Sequence, residues 1–234
     1  MLKENKGENK EIENLPDQQT LSEFPEFPEP SSPFSGPLKI ILALFLILLL
    51  VLWIFPSYGL KQNPEPRNIP SLEDLNLSSS SSPFPQIDSL DPRDYIQTTP
   101  GIKQIADKIV TLSCPSPHRV CYAKAIFYFV QKNFFYVNDP LYHEYYKTPQ
   151  ETLTSRASDC DDFAILTASL LRSVGFLTRF VQVPGHLYLQ VKIPEAISSY
   201  KDKEGWINLD PTCSSCGFGE ISYSYAQSDK QFLD

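Results

Sequence analysis

From Ile40 to Phe55 every side chain is apolar, and Leu38 extends the run across one lysine, Lys39. An α-helix from Leu38 to Phe55 rises about 1.5 Å per residue and just spans a hydrocarbon core of roughly 30 Å. The backbone of such a helix satisfies its own hydrogen bonds, as lipid requires. A helix buried in a soluble core would show polar interruptions, and this run shows none. Trp53 and Tyr58 fall near its C-terminal end, where amphipathic rings suit the membrane interface. A cleaved signal peptide fits poorly, because the preceding tail is long and acidic and lacks a compact basic stretch. No small-residue cleavage site follows directly either. The expectation is an uncleaved single-pass anchor over residues 38–58.

The anchor divides the chain. Residues 1–37 carry many glutamates with Phe24-Pro25, Phe27-Pro28 and the reversed Pro33-Phe34, and read as a disordered acidic tail. Residues 59–92 are rich in proline and serine, including the run Ser78 to Ser82, and read as a spacer holding a domain off the bilayer. Residues 93–234 are left as the folded domain. A net charge of -8 argues against a nucleic-acid partner, since there is no cationic excess to neutralise phosphates. The charges flanking the anchor, Lys39 before it and Lys61 and Arg67 after it, vote weakly against an outside C-terminal domain.

Within the domain the hydrophobic period changes once. Ile102, Ile105, Ala106, Ile109, Val110 and Leu112 recur at helical spacing, predicting a helix over 101–113. Ala123, Ile126, Phe127, Val130 and Phe134 mark a second over 120–134. Phe163, Leu166, Leu170 and Leu171 mark a third from Cys160 to Val174, closed by Gly175. Thereafter 178–183, 187–193 and 206–209 read as strands, separated by Pro184-Gly185 and by a polar loop over 194–205. Helices first and an antiparallel sheet after is an α+β pattern.

Three chemically apt residues fall at the ends of these elements. Cys160, within Ser158-Asp159-Cys160-Asp161-Asp162, opens the third helix, where unpaired N–H groups and the helix dipole favour a thiolate. Asp161 and Asp162 partly oppose that effect. His186 follows the Pro184-Gly185 turn at the start of a strand, and Asp210 ends another strand just before Pro211. A thiol, an imidazole and a carboxylate so placed suit nucleophile, base and orienter. Singly, each has a bland reading as a packing cysteine, a turn histidine and a turn-initiating aspartate.

Asp159-Cys160-Asp161-Asp162 with Leu170 to Gly175, then Thr178 to Val181, Gly185-His186 and Gly205 to Thr212, resemble the core of the transglutaminase-like superfamily. The likeness extends upstream to Ala125 to Val130 and Phe135-Tyr136-Val137. It implies a transglutaminase-like, papain-like α+β core behind the single transmembrane helix. It also implies Cys160 as nucleophile, His186 as general base and acid, and Asp210 as the residue that fixes the imidazole. Acyl transfer or hydrolysis at a protein or peptide amide would then proceed through a thioester, with no cofactor. The other class in view is a catalytically silent, membrane-tethered domain that binds peptides in the same cleft. Ser158 departs from the family pattern, which often has glycine there; a serine can still cap the helix. The Cys160 N–H would supply one oxyanion donor, and Tyr136, Tyr145 and Tyr146 are candidates for a second or for cleft walls, as is Tyr142 for a wall.

Four cysteines remain. Cys114 and Cys121 bracket a loop stiffened by Pro115 and Pro117, and Cys213 and Cys216 form a CxxC after Asp210. Local disulfides, Cys114–Cys121 and Cys213–Cys216, are favoured over a four-thiolate zinc site because the first pair is spaced too widely for a zinc knuckle. A redox CxxC is a third reading, without the βαβ context it usually has. Disulfides favour an extracytoplasmic domain. His118 and His143 read as solvated surface histidines, with His118 a minor alternative zinc ligand. The run Phe127, Tyr128, Phe129, Phe134, Phe135 and Tyr136 reads as core.

Overall fold

The structure, a computed structural model, describes residues 36–76, 87–139 and 145–234. These fall into two units, one ending at Leu50 and the other beginning at Val51. Most of the acidic tail, the Ser78 to Ser82 run, Tyr142, His143 and the Tyr58 side chain lie outside the described residues.

The apolar run forms helix α1, Gly36–Gln62. Its segment Gly36–Phe55 has a mean hydropathy of 3.1, is exposed along its length, and is long and apolar enough to cross a membrane.

The second unit layers helices on a sheet. Helix α2, Pro100–Ser113, starts at Thr99, whose side chain accepts the Ile102 N–H, with proline at the first helical position. Helix α3, Arg119–Asn133, packs against it. After a short strand β1, Phe135–Tyr136, come helix α4, Pro149–Ser155, strand β2, Ala157–Ser158, and helix α5, Cys160–Ser173. Strands β3, Leu177–Val183, β4, His186–Lys192, and β5, Trp206–Leu209, follow, then helix α6, Tyr223–Ala226, and strand β6, Gln231–Leu233. The four-stranded antiparallel sheet runs β5-β4-β3-β6, while β1 and β2 form a parallel pair. Helix α5 lies on β3 and β4, and α2 and α3 pack on α5. The core gathers at that junction, where Phe127, Ile165, Leu166, Leu189 and Ile207 have no exposed surface.

The predicted helices and strands agree with these elements to within a residue or so at each end. Three differences matter. Residues 63–76 are not a free spacer: Leu72 and Leu75 are buried in the core, and the Arg67 N–H donates to the Ser113 carbonyl. Lys124, buried within α3, reaches Asn63, Glu65 and Tyr200 and so holds the same segment. Polar and proline residues around Leu72 and Leu75 conceal any periodicity there. Phe135 and Tyr136 are exposed rather than core, both residues of the two-residue strand β1. Strand β6 lies within a polar sequence whose pairing depends on the β3 edge alone.

The two local cysteine pairs stand as disulfides, Cys114–Cys121 and Cys213–Cys216. Among the described residues no group of three or more His, Cys, Asp or Glu side chains is arranged to hold a metal ion. His118 caps α3 instead, its Nδ1 accepting the Val120 N–H.

Candidate active site

Cys160 is the first residue of α5, and Asp159 before it caps the helix by accepting the Asp162 N–H at 3.2 Å. The cap thus falls on Asp159, while Ser158 lies in β2 opposite Tyr136. Ser158 does not adopt a positive φ, so the backbone there makes no demand for glycine.

His186 opens β4 because Pro184-Gly185 turns the chain between paired residues Val183 and His186. Gly185 has a φ of +72°, the left-handed conformation that this turn requires and that glycine adopts freely. Asp210 follows β5, which pairs antiparallel with β4, so the two residues come together at one end of these strands. His186 Nε2 and Asp210 Oδ2 are 2.9 Å apart and both side chains are buried. The other carboxylate oxygen accepts the Thr212 hydroxyl at 2.5 Å and the Thr212 N–H at 3.3 Å. With Nε2 engaged by the carboxylate, Nδ1 is the imidazole nitrogen left for chemistry.

The remaining elements bring the thiol beside this pair. Cys160 and His186 line one cleft of about 950 Å³ with Tyr136, Tyr146, Asp159 and Leu187. The backbone of Leu187, one residue beyond the imidazole, lies near enough to the Cys160 sulfur to favour its ionised form. Tyr136 lies near enough to Cys160 for the two groups to affect each other's ionisation. Among the described residues Cys160 is the free cysteine.

The electrostatics differ from the helix-dipole expectation. Burial pushes the Cys160 thiol up to about 12, the Asp161 carboxylate adds to the rise, and the Leu187 N–H opposes it. The Cys160 thiol donates to Asp161 Oδ1 at 3.6 Å, a bond the thiolate would lose and replace with repulsion. Burial also raises the Asp159 carboxyl to about 7, with repulsion from Asp162 second. The Tyr136 phenol rises to about 12, chiefly by burial and then by the neighbouring Cys160, so it remains a donor. The resting site therefore holds a thiol beside a carboxylate-bound imidazole.

Of the aromatic candidates, Tyr136 and Tyr146 both line the cleft with Cys160. Tyr145 is half exposed and donates its hydroxyl to Glu151 at 3.0 Å, turned to α4. Two contributors had no sequence signal. The Leu187 N–H depends on strand register, and Tyr225 stacks on His186 from a distant segment, with ring centroids 4.3 Å apart.

A family model described as the transglutaminase-like superfamily matches residues 103–211. No curated protein matches the chain. Among solved structures, a candidate cysteine protease from Cytophaga hutchinsonii is 19% identical over 60% of this chain, with a TM-score of 0.41. The match spans 50% of that protein's length. Legionella pneumophila LapG is 17% identical over 69% of this chain and 82% of its own, with a TM-score of 0.40. Its calcium-bound form is 21% identical over 60% of this chain and 77% of its own, with a TM-score of 0.40.

Proposed function

Because residues 103–211 belong to the transglutaminase-like superfamily, we propose that this protein is a membrane-anchored thiol enzyme that transfers or hydrolyses acyl groups at protein or peptide amides. The observation that carries this reading is the buried His186–Asp210 pair, whose imidazole lines one cleft with the free thiol of Cys160.

In the proposed reaction an amide carbonyl settles over Cys160. His186 Nδ1 takes the thiol proton as the sulfur attacks the carbonyl carbon, and Asp210 steadies the imidazolium that forms. Because burial and Asp161 hold the thiol high, proton removal is coupled to attack rather than completed beforehand. The Cys160 N–H and the Tyr136 hydroxyl serve the oxyanion. Collapse breaks the C–N bond, and the imidazolium gives its proton to the departing amine. Water or a second amine then attacks the thioester, with His186 again the base, and the free thiol returns. No metal or cofactor enters these steps.

The test is acylation by an activated ester, p-nitrophenyl acetate, with the full chain in detergent. The expected outcome is a stoichiometric burst of p-nitrophenolate and a mass increase on Cys160, with Cys160→Ala slowing the burst by about 10³-fold. An equal burst from Cys160→Ala would sink the thiol-enzyme reading. Binding of an extended peptide by both proteins without any burst would favour the peptide-binding class instead.

A further inference from the structure

Residues 221–233 return to the site by a route that the chemistry above does not use. Strand β6 pairs with β3 through Gln182 and Gln231, Val181 and Phe232, and Phe180 and Leu233. Phe232 lies 4.1 Å over the Arg179 guanidinium, whose other face carries Trp206 at 4.3 Å. Leu233 contributes to the wall of the cleft. Upstream of this anchorage, Ile221 and Tyr225 pack on a small apolar cluster of Val181, Val183 and Tyr188. There the Tyr225 ring lies nearly parallel to the His186 imidazole, at 16° and 4.3 Å.

A parallel stack at that distance fixes a ring plane in a way that one hydrogen bond cannot. The Nε2 bond to Asp210 holds one atom of the imidazole and leaves rotation about that bond free. Tyr225 covers a face at 4.3 Å and restricts that freedom more closely than Tyr188, whose ring centroid is 6.2 Å away. It also keeps water from the His186–Asp210 bond, which a low local dielectric strengthens. Tyr225 is near enough to Tyr136, which lines the cleft, to affect its ionisation.

Resting on the acyl-transfer reading, we propose that Tyr225 is a positioning residue that holds the His186 ring plane and shields its bond to Asp210, so that Nδ1 faces Cys160. The stacked face is what matters, and the phenol oxygen is dispensable. The segment 221–233 is then part of the active site and not a peripheral tail.

The experiment measures the p-nitrophenyl acetate burst across pH for the full chain and for Tyr225→Phe, Tyr225→Leu, Tyr225→Ala and Cys160→Ala. Tyr225→Leu keeps apolar bulk on the cluster where Ala could loosen the segment. Expected is a burst within about twofold of the parent for Phe, and slower by about tenfold or more for Leu and Ala, with a displaced pH profile. The His186 ring-proton resonances should also move downfield in Leu and Ala as the ring current is lost, and hold in Phe. Parent-like bursts and pH profiles in Leu and Ala, alongside a silent Cys160→Ala, overturn the proposal alone. A Phe variant as slow as Ala overturns the stacked-face role. A burst undiminished in Cys160→Ala removes the acyl-transfer reading, and the proposal falls with it.

Discussion

A thiol held near 12 reacts slowly at neutral pH until the cause of the rise is lifted. For Cys160 that cause is burial first and the Asp161 carboxylate second. Burial cannot be removed without opening the cleft, but the charge can. Asp161→Asn should lower the thiol and speed iodoacetamide labelling of Cys160 at pH 8 by about threefold. Unchanged labelling would mean that Asp161 does not act on the sulfur. The motif around Cys160, the glycine turn before His186 and the strand end at Asp210 made those residues legible in the sequence. The direction of Tyr145 has no sequence signal, since it is set by the hydrogen bond from its hydroxyl to Glu151. Tyr225 was invisible for a different reason: its place on His186 is set by β6 pairing and by Val181, Val183 and Tyr188, all distant in sequence.

At the scale of elements, one ion pair ties the approach of α4 to the first turn of α5. Lys147 Nζ lies 2.5 Å from Asp162 Oδ2, and the Lys147 N–H donates to Asp162 Oδ1 at 2.7 Å. The Asp162 side chain is 0% exposed. Its carboxyl is raised above the ordinary range by burial, which outweighs the lowering effect of Lys147. Lys147→Met removes that opposing charge and leaves a buried carboxylate without its ionic partner. The expected loss is about 3–5 kcal/mol at pH 8, read from urea denaturation. The sign follows from the raised folded-state ionisation: the folded protein keeps its Asp162 proton to higher pH than the unfolded chain. Stability is thus retained at pH below the unfolded value and falls as pH rises through the folded one. The variant should therefore lose less at pH 5 than at pH 8, and equal losses would assign the effect to packing. Long periodic helices and alternating strands were readable because their own side chains specify them. Helix α4 was not, since it is a seven-residue element. It rests on its Thr148–Glu151 capping box and on contact with α5.

On the scale of the whole molecule, two features bear on which side of a membrane the domain works. The first is helix Gly36–Phe55. The second is the pair of disulfides, each closing a short loop, with Cys114–Cys121 worth about 2–3 kcal/mol by the entropy of a loop of this size. Such bonds persist in oxidising compartments, so they favour an extracytoplasmic domain over the weak contrary vote of Lys61 and Arg67. The described part of the supposed spacer adds a constraint: residues 63–76 belong to the domain through Leu72, Leu75 and the Lys124 contacts. A truncation meant to free the domain should therefore remove 38–55 and keep Asn63 onward. Carbonate extraction at alkaline pH should leave the full chain in the membrane fraction and release the chain lacking 38–55. On intact cells, an impermeant reductant followed by an impermeant maleimide should label Cys213 and Cys216, with no labelling of that pair when the reductant is omitted, while Cys114 and Cys121 are buried in the core. Labelling that appears only after permeabilisation, and needs no reductant, would place the domain in a reducing compartment and reverse the orientation argued from the disulfides.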